Sequence, residues 1–112
     1  MTELAEKHCL PCEGGVKPLT HDEAEAYLKR IAPEWTLSDD DKTISRDFKF
    51  KGFNKTMGFV NAIAWIANAE GHHPDLEVGY NHCKVNFTTH AVGGLSENDF
   101  ICAAKVDKLL DA

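Results

Sequence analysis

The sequence predicts an α+β domain in which a four-stranded antiparallel sheet carries three helices packed on one face, in the order α-β-β-α-β-β-α. Three observations carry this expectation. Apolar residues recur at helical spacing in three stretches, near 20–31, 54–71 and 96–110. Between those stretches lie two pairs of short segments that read as strand, turn, strand. Two hairpins joined by a helix most simply form one antiparallel sheet, with helices covering one face and the other face left polar.

At 112 residues the chain has room for one domain with its own core. We expect an arm over 1–19 and the domain proper over 20–112, because Pro11, Gly14-Gly15 and Pro18 punctuate the arm with turns. Thr20 with Glu23 three residues on is a capping box, so a first helix starts there. It runs to about Ile31, is stopped by Pro33, and shows one apolar face of Ala24, Tyr27, Leu28 and Ile31. Trp35 to Leu37, the run Asp39-Asp40-Asp41, and Thr43 to Phe50 read as the first hairpin. In its second strand Ile44, Phe48 and Phe50 share a face, and Thr43, Ser45, Asp47 and Lys49 the other, with Arg46 the exception on the apolar side.

Gly52 breaks that pattern and Asn54 can cap a second helix. Its apolar residues are Phe59, Val60, Ile63, Ala64, Ile66 and Ala67, and Gly71 ends it as a left-handed residue. Trp65 and Met57 lie off the main stripe, which points to a subunit interface, and so a homo-oligomer, beside the ordinary reading of deep burial. For the second hairpin, a two-residue turn at Asn81-His82 sets Tyr80 opposite Cys83, Val78 opposite Val85 and Leu76 opposite Phe87, all on one face. Gly93-Gly94 makes a turn, then Ser96 and Asp99 open a last helix through about Leu110, with Phe100, Ala103, Val106 and Leu110 inward.

A formal charge of −6 argues against sequence-independent binding to nucleic acid or to anionic lipid, both of which need a basic surface. The acidic start of the chain lacks the apolar run of a secretory signal and no segment is long and apolar enough to span a membrane, so a cytoplasmic protein is expected. Of four cysteines, Cys83 and Cys102 fall in apolar-periodic segments and read as core thiols. Cys9 and Cys12 have the spacing of half a zinc site with His8 beside them, but no second half follows. They also lack the preceding strand and following helix of a thioredoxin-like pair.

The chemistry concentrates in Gly71-His72-His73-Pro74, His90 and Asp99. Imidazoles give or take protons near neutral pH, and His72 and His73 follow the negative end of a helix dipole, which favours imidazolium. Six histidines scattered by chance, with an adjacent pair on a solvated loop, is the plain alternative. For Asp99 that alternative is simple stabilisation of a helix N-terminus. Pro74 biases His73 toward an extended backbone, so the adjacent rings point apart. Extending the predicted ladder past Pro74 sets His73 opposite His90 on the polar face, with Cβ atoms about 4.5–5.5 Å apart. Three histidines also make a zinc site conceivable, but neighbours on diverging vectors are poor ligands for one ion, which leaves metal-free acid/base work as the better reading.

Gly71-His72-His73-Pro74, then Tyr80 six residues after the proline, His90 ten residues beyond it, and Gly94-Leu95-Ser96-Glu97-Asn98-Asp99 together resemble the signature of pterin-4a-carbinolamine dehydratases, also called 4a-hydroxytetrahydrobiopterin dehydratases. The resemblance covers roughly residues 20–112, and the arm from Cys9 to Gly15 resembles extensions on bacterial members. It implies the sheet-and-helix fold read above and a hydro-lyase reaction: loss of water from a 4a-hydroxytetrahydropterin to give the quinonoid dihydropterin, in tetrahydrobiopterin recycling. It implies His72 and His90 as the proton-transfer pair, His73 as a third catalytic-site histidine that chiefly binds the pterin, and Asp99 as supporting electrostatics. Asp99, Thr88 and Thr89 are the further substrate-binding positions expected. No metal and no organic cofactor is implied, and a homodimer or homotetramer serving an aromatic amino acid hydroxylase pathway is. The family pattern prefers an ionisable residue four before the first histidine, where this chain has Asn68, and Glu70 points to roughly the opposite side of the helix. The alternative expectation is a non-catalytic relative, a RuBisCO assembly factor or transcriptional coactivator. The retention of all three histidines favours the enzyme.

Overall fold

The computed structural model describes residues 4–11 and 16–111. Its elements are α1 (His21–Leu28), β1 (Thr36–Leu37), β2 (Ile44–Lys49), α2 (Phe53–Glu70), β3 (Asp75–Val78), β4 (His82–Phe87) and α3 (Glu97–Lys108), with single 3-10 turns at His90–Val92 and Leu109–Asp111. The four strands form one antiparallel sheet in the order β1-β2-β4-β3. The α+β order read from the sequence is therefore the observed one.

Alternation along the strands places the core. Ile44 and Phe48 of β2 and Cys83, Val85 and Phe87 of β4 are buried together with Phe59 and Ile63 of α2 and Phe100, Ile101 and Val106 of α3. The other face is polar, with Ser45 Oγ donating to Asn86 Oδ1 at 2.6 Å across the β2–β4 pair. Arg46 stands on the apolar face and is accommodated by pairing. Its guanidinium lies 4.2 Å from the centre of the Phe48 ring and 2.8 Å from Asp107 Oδ1, which also accepts from Trp35 Nε1 at 2.9 Å. Burial pushes the Asp107 carboxyl above its ordinary value, against the opposing pull of Trp35, the Ala32 N–H and Arg46.

Several boundaries differ from expectation, each for a local reason. The Thr20–Glu23 capping box is present, but α1 stops at Leu28 because the next amides, Arg30 and Ile31, bond three residues back, to Tyr27 and Leu28, in a tightening turn. The N-cap of α2 is Gly52, and Asn54 lies inside the helix. The Thr56 hydroxyl sits within hydrogen-bond distance of both Gly52 O and Tyr80 O, which ties this helix start to the second hairpin. Gly71 does close α2 in the left-handed conformation, φ 65°. Leu110 is 48% exposed in the terminal 3-10 turn, outside α3 and off its inner face. Trp65 is 75% exposed and Met57 half-buried.

The second hairpin is shifted by two residues from the predicted register. Val78 pairs with Cys83, Leu76 with Val85 and Asp75 with Asn86, and the turn is Tyr80-Asn81, closed by the Gly79 N–H donating to His82 O at 2.9 Å. A shift of two preserves the face of every side chain, so alternation cannot detect it. In the observed register Gly79 stands opposite His82 and the His82 ring packs over it: a Cβ at Gly79 would lie 2.4 Å from His82 Nε2, so the ring would have to move aside for any other residue. A two-residue hairpin turn commonly places Asn at positive φ, but Asn81 does not adopt it: Asp41 is the sole non-glycine residue with positive φ among those described.

Candidate active site

The site forms where α2 ends, β4 ends and α3 begins. Past the left-handed Gly71 the chain turns inward and the His72 N–H donates to Ala67 O at 3.2 Å. This carries the His72 side chain to 12% exposure, with Nε2 2.6 Å from Asp99 Oδ1. Asp99 itself is fully buried. As the third residue of α3 it forms a capping box with Ser96, whose N–H donates to Asp99 Oδ2 at 3.0 Å. The same oxygen accepts from Thr89 Oγ1 at 2.8 Å. Both carboxyl oxygens are thus engaged, one by the imidazole and one by the helix cap. The His72 ring also lies nearly parallel to Phe87, with centroids 6.0 Å apart. Packing on one side and the carboxyl group on the other fix the ring.

His73 and His90 are exposed, Thr88 half-buried and Thr89 buried. These four and His72 line one cavity of about 500 Å³, within the general range of roughly 300–1,000 Å³ for small-molecule sites. The three histidines, both threonines and, behind His72, Asp99 are therefore brought together. The predicted route to that assembly was wrong in one respect. His90 does not face His73 across a ladder, because β4 ends at Phe87, Thr89 pairs instead with Gly94, and His90 opens a 3-10 turn closed by the left-handed Gly93. Thr88 Oγ1 donates to Lys42 O, so its hydroxyl is held by backbone as it reaches the cavity wall. Asn68 is exposed and shares a separate open groove with Trp65 and His73 on the outer side of α2. Among the described residues no three His, Cys, Asp or Glu side chains converge as a metal-binding group.

Sequence reading missed the wall contributed by the N-terminal segment. Cys9, Leu10 and Pro11 line the histidine cavity together with Glu70 and Asn98. Asn98 brackets Leu10 as a neighbouring strand would: Leu10 N–H donates to Asn98 Oδ1 at 3.1 Å and Asn98 Nδ2 donates to Leu10 O at 2.7 Å. Glu70 accepts the Cys9 N–H at 2.7 Å and lies 3.0 Å from His8 Nδ1 and 3.7 Å from Lys105 Nζ. Burial pushes the Glu70 carboxyl up, and the Cys9 N–H, His8 and Lys105 outweigh it, holding the group below its ordinary value. The only sequence signal for this wall was an acidic residue immediately before the helix-ending glycine. Cys12, the other half of the spaced cysteine pair, lies outside the described residues.

Comparison with known proteins identifies the family of the chain. The family model of pterin 4 alpha carbinolamine dehydratase matches residues 17–109. A protein of Nitrosomonas eutropha named "Putative pterin-4-alpha-carbinolamine dehydratase" is 60% identical over 108 residues, 96% of this chain and 94% of its own. A crystal structure described as a transcriptional coactivator/pterin dehydratase from Brucella melitensis is similar with a TM-score of 0.78 and 32% identity, over 83% of this chain and 98% of that one. A pterin dehydratase-like protein described as a RuBisCO assembly factor in the alpha-carboxysome shares the fold, with a TM-score of 0.59 at 22% identity, over 68% of this chain and 88% of that one.

Proposed function

Because the chain belongs to the pterin 4 alpha carbinolamine dehydratase family, we propose that it removes water from a 4a-hydroxytetrahydropterin, with His72 and His90 moving the protons and His73 holding the pterin. The observation that carries this reading is His72 locked on a buried carboxyl group at the wall of a cavity that His73 and His90 also line. Dehydration breaks the C4a–O bond and the N5–H bond. An acid must protonate the departing hydroxyl as a base takes the N5 proton, so no net charge or electron is transferred. Two imidazoles in opposite protonation states meet that need. Asp99 accepts the His72 Nε2–H, stabilises the ring while it carries positive charge, and keeps Nδ1 directed at substrate. Thr88 and Thr89 contribute to the pterin-facing wall.

Proton transfer by the imidazoles themselves needs no metal ion. Dehydration of a 4a-hydroxytetrahydropterin, followed spectroscopically after exhaustive chelation, proceeds at the untreated rate. Loss of activity restored by zinc contradicts the mechanism. The alternative, a dehydratase-like binding protein, draws on the descriptions of the two solved structures, but binding alone gives no reason for an imidazole fixed on a buried Asp99.

In this reading the protein acts in the cytoplasm, in tetrahydrobiopterin recycling after an aromatic amino acid hydroxylase. Among the described residues no helix is long and apolar enough to cross a membrane. Residues 20–112 form the catalytic domain in this reading and 1–19 its arm. The outer face of α2, with Trp65 75% exposed, is suited to a second copy of the chain. Light scattering at micromolar concentration then gives a dimer or tetramer that Trp65→Glu dissociates, and a monomeric wild type contradicts this.

A further inference from the structure

The N-terminal segment meets α3 through two thiols as well as hydrogen bonds. Cys9 Sγ lies 3.5 Å from Cys102 Sγ, and neither is in a disulfide. Asn98, which brackets Leu10, is one helical turn before Cys102 on α3, so the same face of that helix holds both the segment's backbone and its sulfur. Cys9 is half-buried and lines the histidine cavity, whereas Cys102 is fully buried. A disulfide needs the sulfurs to close to about 2.05 Å. Cys9 belongs to neither a helix nor a strand, so it can make that approach without disturbing α3.

We propose that Cys9 and Cys102 form a reversible disulfide site, oxidised by hydroperoxide, which fastens the N-terminal segment as a covalent wall of the histidine cavity. The Cys9 thiolate attacks one peroxide oxygen, the O–O bond breaks, and Cys9 becomes a sulfenic acid as the other oxygen leaves and is protonated to water. The Cys102 sulfur then attacks the Cys9 sulfur and the S–O bond breaks. The departing hydroxide takes the Cys102 proton, giving a second water and the disulfide. Two thiols are oxidised and one hydrogen peroxide is reduced to two waters. The hydrogen bond with Cys9, together with burial, pushes the Cys102 thiol far above its ordinary value. Cys102 is fully buried and Cys9 faces the cavity, so the first oxidation falls to Cys9.

The bond itself is independent of the dehydratase reading, and only its consequence for the cavity rests on that reading. The full reduced chain is treated with stoichiometric hydrogen peroxide, and its peptides are mapped by mass spectrometry without reduction. The expected product is a Cys9–Cys102 linked peptide, two hydrogens lighter than the sum of its parts, which dithiothreitol reverses. Cys9→Ser and Cys102→Ala abolish it, and Cys83→Ala and Cys12→Ser retain it. In the oxidised wild type, hydrogen exchange at the Cys9 and Leu10 amides, which Glu70 and Asn98 accept, slows at least about tenfold relative to the reduced protein. A Cys9–Cys12 bridge, over-oxidation of Cys9 without any bridge, or unchanged exchange at those amides overturns the proposal. All three readouts stand whether or not the protein turns over a pterin.

Discussion

Alanine at His72 or at His90 lowers turnover of a 4a-hydroxytetrahydropterin by roughly 10²-fold or more, the ordinary scale for a general acid or base. His73→Ala instead raises KM with little change in kcat, because a group that holds ground state and transition state alike contributes binding rather than rate. The contrast follows from placement. His72 is fixed between Phe87 and Asp99, His90 stands on a short turn closed by a left-handed glycine, and His73 projects to the cavity rim where it also borders the groove with Trp65 and Asn68. The folds of the His73 and His90 variants are intact, since both side chains are exposed. Circular dichroism and thermal melts verify this. Steady-state kinetics of the three variants supply the comparison, and equal losses in kcat at all three positions contradict the division of roles.

Asp99 variants separate a structural from a chemical effect at one position. Asp99→Ala removes a hydrogen-bond acceptor of the Ser96 N–H and of Thr89 Oγ1 and the carboxyl partner of His72 Nε2 in a fully buried place. Leaving buried hydrogen-bond partners unsatisfied costs about 1–3 kcal/mol for each group, read as a lower urea midpoint. Asp99→Asn keeps the volume and one acceptor, so its loss of stability is smaller, about 1–2 kcal/mol. It nevertheless presents an amide N–H to either His72 or Thr89. Where His72 receives it, Nε2 must accept and Nδ1 carries the proton. Turnover then falls by about 10²–10⁴, as expected when an imidazole is held in the wrong tautomer. Wild-type turnover in a folded Asp99→Asn protein removes Asp99 from the mechanism.

The fold was legible because its signals are local. The Thr20–Glu23 and Ser96–Asp99 boxes, the left-handed Gly71 and the alternation in β2 and β4 each lie within a few residues of chain. Register was only half legible. Alternation has a period of two, so the shift that places Val78 on Cys83 rather than on Val85 left every apolar residue on its correct face. At the site, His72, His73, His90 and Asp99 were visible as residue types with chemistry, while the partnership of His72 with Asp99 joins positions 27 apart and depends on how α2 meets α3. The N-terminal wall was least legible. Its bonds from Cys9 to Glu70 and from Leu10 to Asn98 span 61 and 88 residues, and the side chains that make them carry no pattern at any local spacing. Arg46 is the converse case: visible as an exception on an apolar face, it was explained only when Asp107 and Phe48 were seen around it.

The proposed function is catalysis of pterin dehydration in this cavity. Its most direct test is the rate at which a 4a-hydroxytetrahydropterin loses water with and without the purified full chain, at a pH where the spontaneous reaction is slow. The expected result is saturable acceleration that His72→Ala and His90→Ala each reduce by roughly 10²-fold or more. A wild-type protein that binds the pterin yet leaves the rate at its uncatalysed value contradicts catalysis and assigns the cavity to binding alone.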